Sequence, residues 1–277
     1  MPKPKNIPLS TMQKISGSGV FVKRFGRVMQ SAMKQYAHRD DYYMVVLLTG
    51  GSAAVEIDFE RKELRAGDIV VVSPWQVHNK PGGDVWNADG WLLAFSPEIL
   101  SESDSRAIDE YSISPRPFNP GGNIVEDISS LCYIMERNME NGRVSKALAI
   151  AVKSMVVATL SAPGNELSGR YRTITSRLRK LLEDEHMPKD KRPGVCASVL
   201  NISEVYLNEA VKGATGLSAG AYIRSRVIIQ AKRQLAYTSL SAKEIAYALG
   251  YDDYAYFSRI FKKNEGMSPV EYRKNLK

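Results

Sequence analysis

The 277-residue sequence predicts a multidomain α+β protein. Its first half reads as an antiparallel β-barrel or jelly roll with accompanying helices. Its second half is all-α, with two helix-turn-helix units joined by a long helix. Three observations carry this. Short β-rich runs punctuated by Gly, Pro and Asp fill residues 20–96. Apolar residues switch to helical spacing from Ile124 onward. One helical unit is then written twice, 50 residues apart.

The elements follow in order. Tyr42 to Leu48 is a β-rich run closed by Gly50-Gly51, and Ala53 to Phe59 alternates into a charged turn at Glu60-Arg61-Lys62. Ala66-Gly67-Asp68 turns into Ile69 to Val72, and Trp91 to Phe95 gives a further strand. Glu102 to Gly122 is polar and rich in Pro, including Pro115, Pro117 and Pro120, and helical periodicity takes over after it. Ile124, Ile128, Leu131, Met135 and Met139 place an apolar stripe on one helix, Asn141-Gly142 stops it, and Val144 to Leu160 forms a second. The stripe either packs on the strands or is shared between two subunits. Ser161 to Gly169 reads as a linker, which divides the chain into a domain over 1–160, a linker over 161–170 and a domain over 171–277.

Past the linker, Tyr171 to His186 is amphipathic, with Ile174, Leu178, Leu181 and Leu182 inward. Gly194 to Leu200 is a short helix, Asn201-Ile202 the turn, and Ser203 the cap of a helix from Glu204 to Lys212. Ser218 to Tyr237 reads as one long helix. Lys243 to Leu249 is helical, Gly250 allows the turn, and Asp252 or Asp253 caps Tyr254 to Lys263. The two units span about 193–214 and 243–264. Aligned without gaps at an offset of 50, Val195 falls on Ile245, Val199 on Leu249, Tyr206 on Tyr256, Lys212 on Lys262, Gly216 on Gly266 and Ser218 on Ser268. Helix, short turn, helix is the arrangement that lets a second helix enter a major groove.

Charge agrees. Residues 161–277 hold 20 Lys+Arg against 12 Asp+Glu, while residues 1–160 hold 18 of each, so the whole excess of +8 lies with the repeat. That is the electrostatic footprint of a phosphate-binding surface. The sequence has no long apolar run and no secretory h-region at its start, and Cys132 and Cys196 lie far apart within amphipathic helices, so a cytoplasmic protein with reduced thiols is expected. No P-loop, dinucleotide fingerprint or GxSxG is present, so no catalytic residue and no cofactor is assigned.

The run Ile245-Ala246-Tyr247-Ala248-Leu249-Gly250-Tyr251-Asp252-Asp253-Tyr254-Ala255-Tyr256-Phe257-Ser258-Arg259-Ile260-Phe261-Lys262-Lys263, continued through Gly266-Met267-Ser268-Pro269, closely resembles the signature of AraC/XylS-type transcription regulators. Tyr206-Leu207-Asn208 and Thr215-Gly216-Leu217-Ser218 resemble the first helix-turn-helix of that family. The resemblance covers about residues 171–276 and implies a bihelical domain reading two adjacent major-groove segments of double-stranded DNA. It implies Ser203, Val205, Asn208, Glu209 and Lys212 at the DNA in the first unit, and Tyr254, Ala255, Ser258, Arg259, Lys262 and Lys263 in the second. A guanidinium at Arg259 suits guanine and an amide at Asn208 suits adenine, while the lysines suit phosphates. Glu209 either accepts from cytosine N4 or pairs with a cation of its own protein. Family resemblance further implies activation, a homodimer, contact with RNA polymerase and a small-molecule effector such as a sugar or other metabolite. A regulator without an effector, its barrel serving as a dimerisation or partner-binding scaffold, is the alternative.

Ala66-Gly67-Asp68, the following strand and Ser73-Pro74-Trp75-Gln76-Val77-His78 resemble the cupin-type barrel that many bacterial regulators carry. A barrel interior is a natural ligand pocket, and Tyr43, His78 and Trp91, with Phe21 and Arg24 further out, are its candidate residues. Metal-binding cupins cluster His and Glu. Here only His38 and His78 lie in the first half, and His38 has no second His close by. Two His plus an unidentified carboxylate would suffice for a facial metal site, but no motif dictates that spacing. His78 is therefore read as a polar group of an organic-ligand pocket or a loop cap, and no metal site is assigned.

Overall fold

The computed structural model describes residues 9–26, 38–74, 76–79, 87–121, 123–160, 166–184 and 190–276. Its contacts divide the chain into Leu9–Pro163 and the segment from Gly164 to Lys277. The linker residues 161–165, and His186 at the expected end of the first helix of the second half, lie outside the described residues.

The first unit runs β1 (Leu9–Ser10), α1 (Met12–Ile15), β2 (Val20–Phe25), β3 (Arg39–Asp40), β4 (Tyr43–Ile57), β5 (Glu60–Arg65), β6 (Ile69–Val72), β7 (His78–Asn79), β8 (Asn87–Phe95), a 3-10 turn at Pro97–Ile99, α2 (Glu102–Tyr111), α3 (Ile124–Arg137) and α4 (Gly142–Leu160). An antiparallel sheet follows the order β2-β8-β4-β5, and β6 and β7 also pair with β4. Where two strands are expected, β4 is one strand of 15 residues. Gly50-Gly51 does not end it. The register shifts between Leu48 and Gly50, and a Cβ on Gly51 would stand 1.8 Å from the Asn87 carbonyl oxygen, so the glycine admits the neighbouring strand at a bulge. The hairpin turn lies at Asp58-Phe59, with φ of 51° and 68°, one step before the charged Glu60-Arg61-Lys62. Positive φ at both central residues matches the right-handed twist of the flanking strands.

Both faces of β4 are covered, so its first residues form an unbroken apolar run instead of alternating. Tyr43, Val45 and Leu47 join Trp91, Leu93 and Phe95 beneath α2, α3 and α4. Met44, Val46 and Leu48 join Val55, Ile57, Leu64, Val70 and Val72 on the opposite face. The stripe Ile124, Ile128, Leu131, Met135 and Met139 packs into the helix-side core of its own chain. α2 lies in the polar stretch ahead of Pro115, Pro117 and Pro120; Ser101 and Asp104 form its capping box. Lys153 of α4 reaches Asp104 at 2.5 Å and ties the two helices.

The second unit is α5 (Glu166–Glu183), α6 (Pro193–Val199), α7 (Glu204–Thr215), α8 (Ala219–Tyr237), α9 (Ala242–Ala248), α10 (Tyr254–Glu265) and α11 (Pro269–Asn275). α8 packs against α5, α6 and α7 and also against α9, α10 and α11. Arg226 pairs with Glu183 at 2.8 Å, and Lys232 pairs with Glu265 at 2.8 Å, so α8 is pinned to α5 and to α10. Among the described residues no helix is long and apolar enough to cross a membrane.

Candidate nucleic-acid interface

Each helix-turn-helix is held by short polar devices at its joints. The Ser203 hydroxyl accepts from the Tyr206 amide and the Asp253 carboxylate from the Ala255 amide, capping α7 and α10. Both helices end on a left-handed glycine: Gly216 (φ 77°) and Gly266 (φ 76°) donate to the Lys212 and Lys262 carbonyls. Leu207 and Val211 of α7, like Phe257 and Phe261 of α10, are fully buried, so the opposite faces of both helices are left outward.

The two copies do not keep one offset. The C-caps of α6 and α9 are Leu200 and Leu249, and left-handed residues follow at Asn201 and Gly250, an offset of 49. From Ser203 and Asp253 onward the offset is 50, so the second turn is one residue longer. The ungapped matches Val195–Ile245 and Val199–Leu249 are therefore corrected. Val199 is 45% exposed while Leu249 is 5% exposed, and Cys196 is the buried counterpart of Ile245. Burial pushes the Cys196 thiol up to about 11, in keeping with a core residue; Cys132 is buried likewise and raised to about 12.

On α7, Val205 (71% exposed), Asn208, Glu209 and Lys212 share the outward face with the cap Ser203. On α10, Ala255, Arg259, Lys262 and Lys263 are exposed, with Tyr254 and Ser258 half-buried. Positions i, i+3, i+4 and i+7 lie on one side of a helix, which places Ala255, Arg259 and Lys262 in a row. Tyr256, 52% exposed, stands three residues before Arg259 on this surface and was not singled out from the sequence. Among the described residues no cation pairs with Glu209.

Two details set the units apart. The Asn208 Oδ1 accepts from the Ala219 amide at 3.0 Å, so one of the two groups a bidentate adenine contact needs is engaged in holding α7 to the start of α8. Gly213, the counterpart of Lys263, lies against α5: a Cβ there would stand 2.3 Å from Tyr171 Cδ2. The Tyr171 ring also meets Tyr206 edge-on with centroids 6.3 Å apart. Gly213 is exposed, but any side chain placed on it would run into this ring.

The five small-molecule candidates do not converge. Arg24 and Trp91 line a cleft of about 790 Å³ with Thr49, Asn119, Glu126 and Tyr133, the Arg24 guanidinium 5.8 Å from the Trp91 ring centre. Tyr43 stacks on Phe95 in the helix-side core, and Phe21 packs near Met12 and Tyr42. His78 lies elsewhere, beside His38. The antiparallel bridge between His38 and His78 brings together two histidines 40 residues apart, and Asp40 joins them. The absence of a second nearby His is thus corrected by strand pairing, which sequence spacing does not reveal. Tyr42 is buried near this group, and its phenol is pushed upward by that burial first and by the Asp40 charge second.

A family profile described as a helix-turn-helix domain matches residues 196–275. The HTH-type transcriptional activator RhaS of Yersinia pseudotuberculosis serotype I (strain IP32953) is 34% identical over 97% of this chain and 99% of its own length. The arabinose operon regulatory protein of Salmonella typhimurium is 25% identical over 83% of each chain. Among solved structures, unsaturated fatty acid bound wild-type ToxT from Vibrio cholerae strain SCE256 is 15% identical over 92% of this chain and 94% of its own, with a TM-score of 0.43.

Proposed function

The chain belongs to the AraC/XylS family of DNA-binding transcription regulators, and from that premise we propose that it is a sequence-specific activator governed by a small molecule. The observation that carries this is the pair of outward helix faces on α7 and α10, in the half of the chain that holds the whole excess of positive charge. Arg259 reads guanine; Lys212, Lys262 and Lys263 neutralise phosphates. Ser203, Val205, Asn208, Glu209, Tyr254, Ala255 and Ser258 complete the contact surface. α8, engaged with both units, sets their separation so that they enter successive major-groove segments.

The division at 161–170 separates this domain, 171–277, from a sensor and dimerisation domain over 1–160 whose sheet is a cupin-like barrel. A sugar or other small metabolite occupies the cleft beside Arg24 and Trp91, where a cation over an aromatic face offers both polar and apolar contact. Ligand binding biases the arrangement of two subunits on DNA, and the bound homodimer recruits RNA polymerase in the cytoplasm. The relatives named as an activator and an arabinose operon regulator support this reading.

A second reading has one observation in its favour: Phe21, Tyr43 and His78 stand apart from the Arg24–Trp91 cleft. In that reading the first domain is a scaffold and no metabolite binds. DNase footprinting on the DNA upstream of the protein's own coding sequence tests the proposal. Protection of two major-groove segments about one helical turn apart (~10 base pairs) supports it, and sugars that sharpen the footprint support the effector. An unprotected region at every protein concentration, with or without sugars, argues against it.

A further inference from the structure

We propose that His38, Asp40 and His78 form a site for one divalent transition-metal ion, held by two imidazole nitrogens and a carboxylate. All three side chains are buried, at 8%, 2% and 5% exposure, and their donor atoms lie within 4.8 Å of one another. The Asp40 Oδ1 is 3.6 Å from His38 Nε2, and the Asp40 Oδ2 is 3.3 Å from His78 Nε2. Bonds of about 2.0–2.1 Å arranged tetrahedrally set neighbouring donors about 3.3–3.4 Å apart; the His78–Asp40 distance of 3.3 Å matches this and the His38–Asp40 distance of 3.6 Å is slightly longer.

Two further observations point to a cation. Both Asp40 oxygens are buried, and among the described residues the carboxylate has only the Tyr42 phenol and the two imidazoles as polar neighbours, with no full hydrogen bond to either oxygen. A buried carboxylate with so few donors is a costly arrangement that a bound ion relieves. The His78 Nδ1 lies 3.1 Å from the Gln76 carbonyl oxygen. A carbonyl only accepts, so Nδ1 carries the hydrogen, and in the neutral ring the Nε2 lone pair then faces the Asp40 carboxylate. Only a positive charge between them, a proton or a metal, makes that contact favourable. A backbone acceptor on the far nitrogen is the usual support of a metal-binding histidine.

Mixed imidazole and carboxylate donors suit zinc, iron or manganese better than calcium or magnesium. The site joins β3 to β7 through the His38–His78 bridge, where the backbone amides exchange hydrogen bonds of 3.2 and 3.0 Å. Three protein donors leave a coordination position for water or an oxygen ligand. This inference does not rest on the DNA-binding reading.

The test is equilibrium dialysis of the chelator-stripped full chain against micromolar Zn²⁺, with Co²⁺ as a spectroscopic probe and thermal unfolding alongside. One Zn²⁺ per chain is expected, with a higher unfolding midpoint and visible Co²⁺ absorption of low-symmetry nitrogen–oxygen coordination. Asp40→Asn and His78→Gln are expected to lose the ion, and His186→Ala to keep it. Equal binding by all variants, or no binding by the wild type, overturns the site. If the two ligand variants do not fold, the wild-type Co²⁺ spectrum and Zn²⁺ thermal shift decide: both present support it, and either one missing overturns it.

Discussion

Asn208 and Ala219 are joined across the α7–α8 corner by a 3.0 Å hydrogen bond from the Ala219 amide to the Asn208 carbonyl oxygen. The corresponding pair in the second unit is Ser258 and Pro269, and proline has no amide hydrogen to give. The two units therefore use the same helix position differently. Asn208→Ala is expected to lower stability by about 1 kcal/mol as well as weaken DNA binding. Asn208→Asp keeps an acceptor at the start of α8, so it is expected to retain stability while losing affinity through its charge. Ser258→Ala is expected to leave stability unchanged. Urea unfolding beside anisotropy titrations separates the two effects.

Gly213 cannot be converted to match its lysine counterpart. With a Cβ 2.3 Å from the Tyr171 ring, Gly213→Lys is expected to destabilise the domain by roughly 1–3 kcal/mol through overpacking. Most of that loss is expected to return in the double variant with Tyr171→Ala, because the clash is pairwise. A double-mutant cycle by chemical denaturation checks this.

Lys262 and Lys263 are exposed at the last turn of α10. Each replaced by Ala is expected to weaken binding equally on upstream and scrambled DNA and to reduce the log–log salt slope by about 1. Glu209→Gln is expected to raise affinity at low salt, since no described cation balances the carboxylate. Titrations at four ionic strengths read both.

The Asp104–Lys153 pair carries a pH dependence. Burial alone would raise the Asp104 carboxyl, but hydrogen bonds from Lys153 and Ser101 outweigh it and hold the carboxyl below its ordinary value of 3.8. A depressed folded value means the pair's contribution is present above the unfolded value and is lost as pH falls through the folded one. Lys153→Met is expected to lower stability at neutral pH and to flatten its decline below about pH 4. Unfolding midpoints measured from pH 3 to 7 test the sign.

Local signals were legible in the sequence and long-range pairings were not. The caps Ser203 and Ser268, the left-handed Gly216 and Gly266, and the buried Leu207, Val211, Phe257 and Phe261 sit where spacing places them, because each depends on neighbours within a turn or two. The extra residue in the second turn was hidden because Val195 and Ile245, both β-branched, imitate a match. Strand alternation separates Tyr43 from Met44 but does not say which face the helices cover. The His38–Asp40–His78 group depends on an antiparallel bridge across 40 residues, and no local pattern encodes that partner.

The most direct test of DNA reading through α10 is a fluorescence-anisotropy titration of upstream and scrambled duplexes at several salt concentrations, wild type beside Arg259→Ala. The expected result is tighter binding to the upstream duplex, weakening with salt, with Arg259→Ala losing about 1–3 kcal/mol on that duplex and much less on the scrambled one. Equal losses on both duplexes would remove Arg259 from base reading, and no binding by the wild type even at low salt would contradict the interface as a whole.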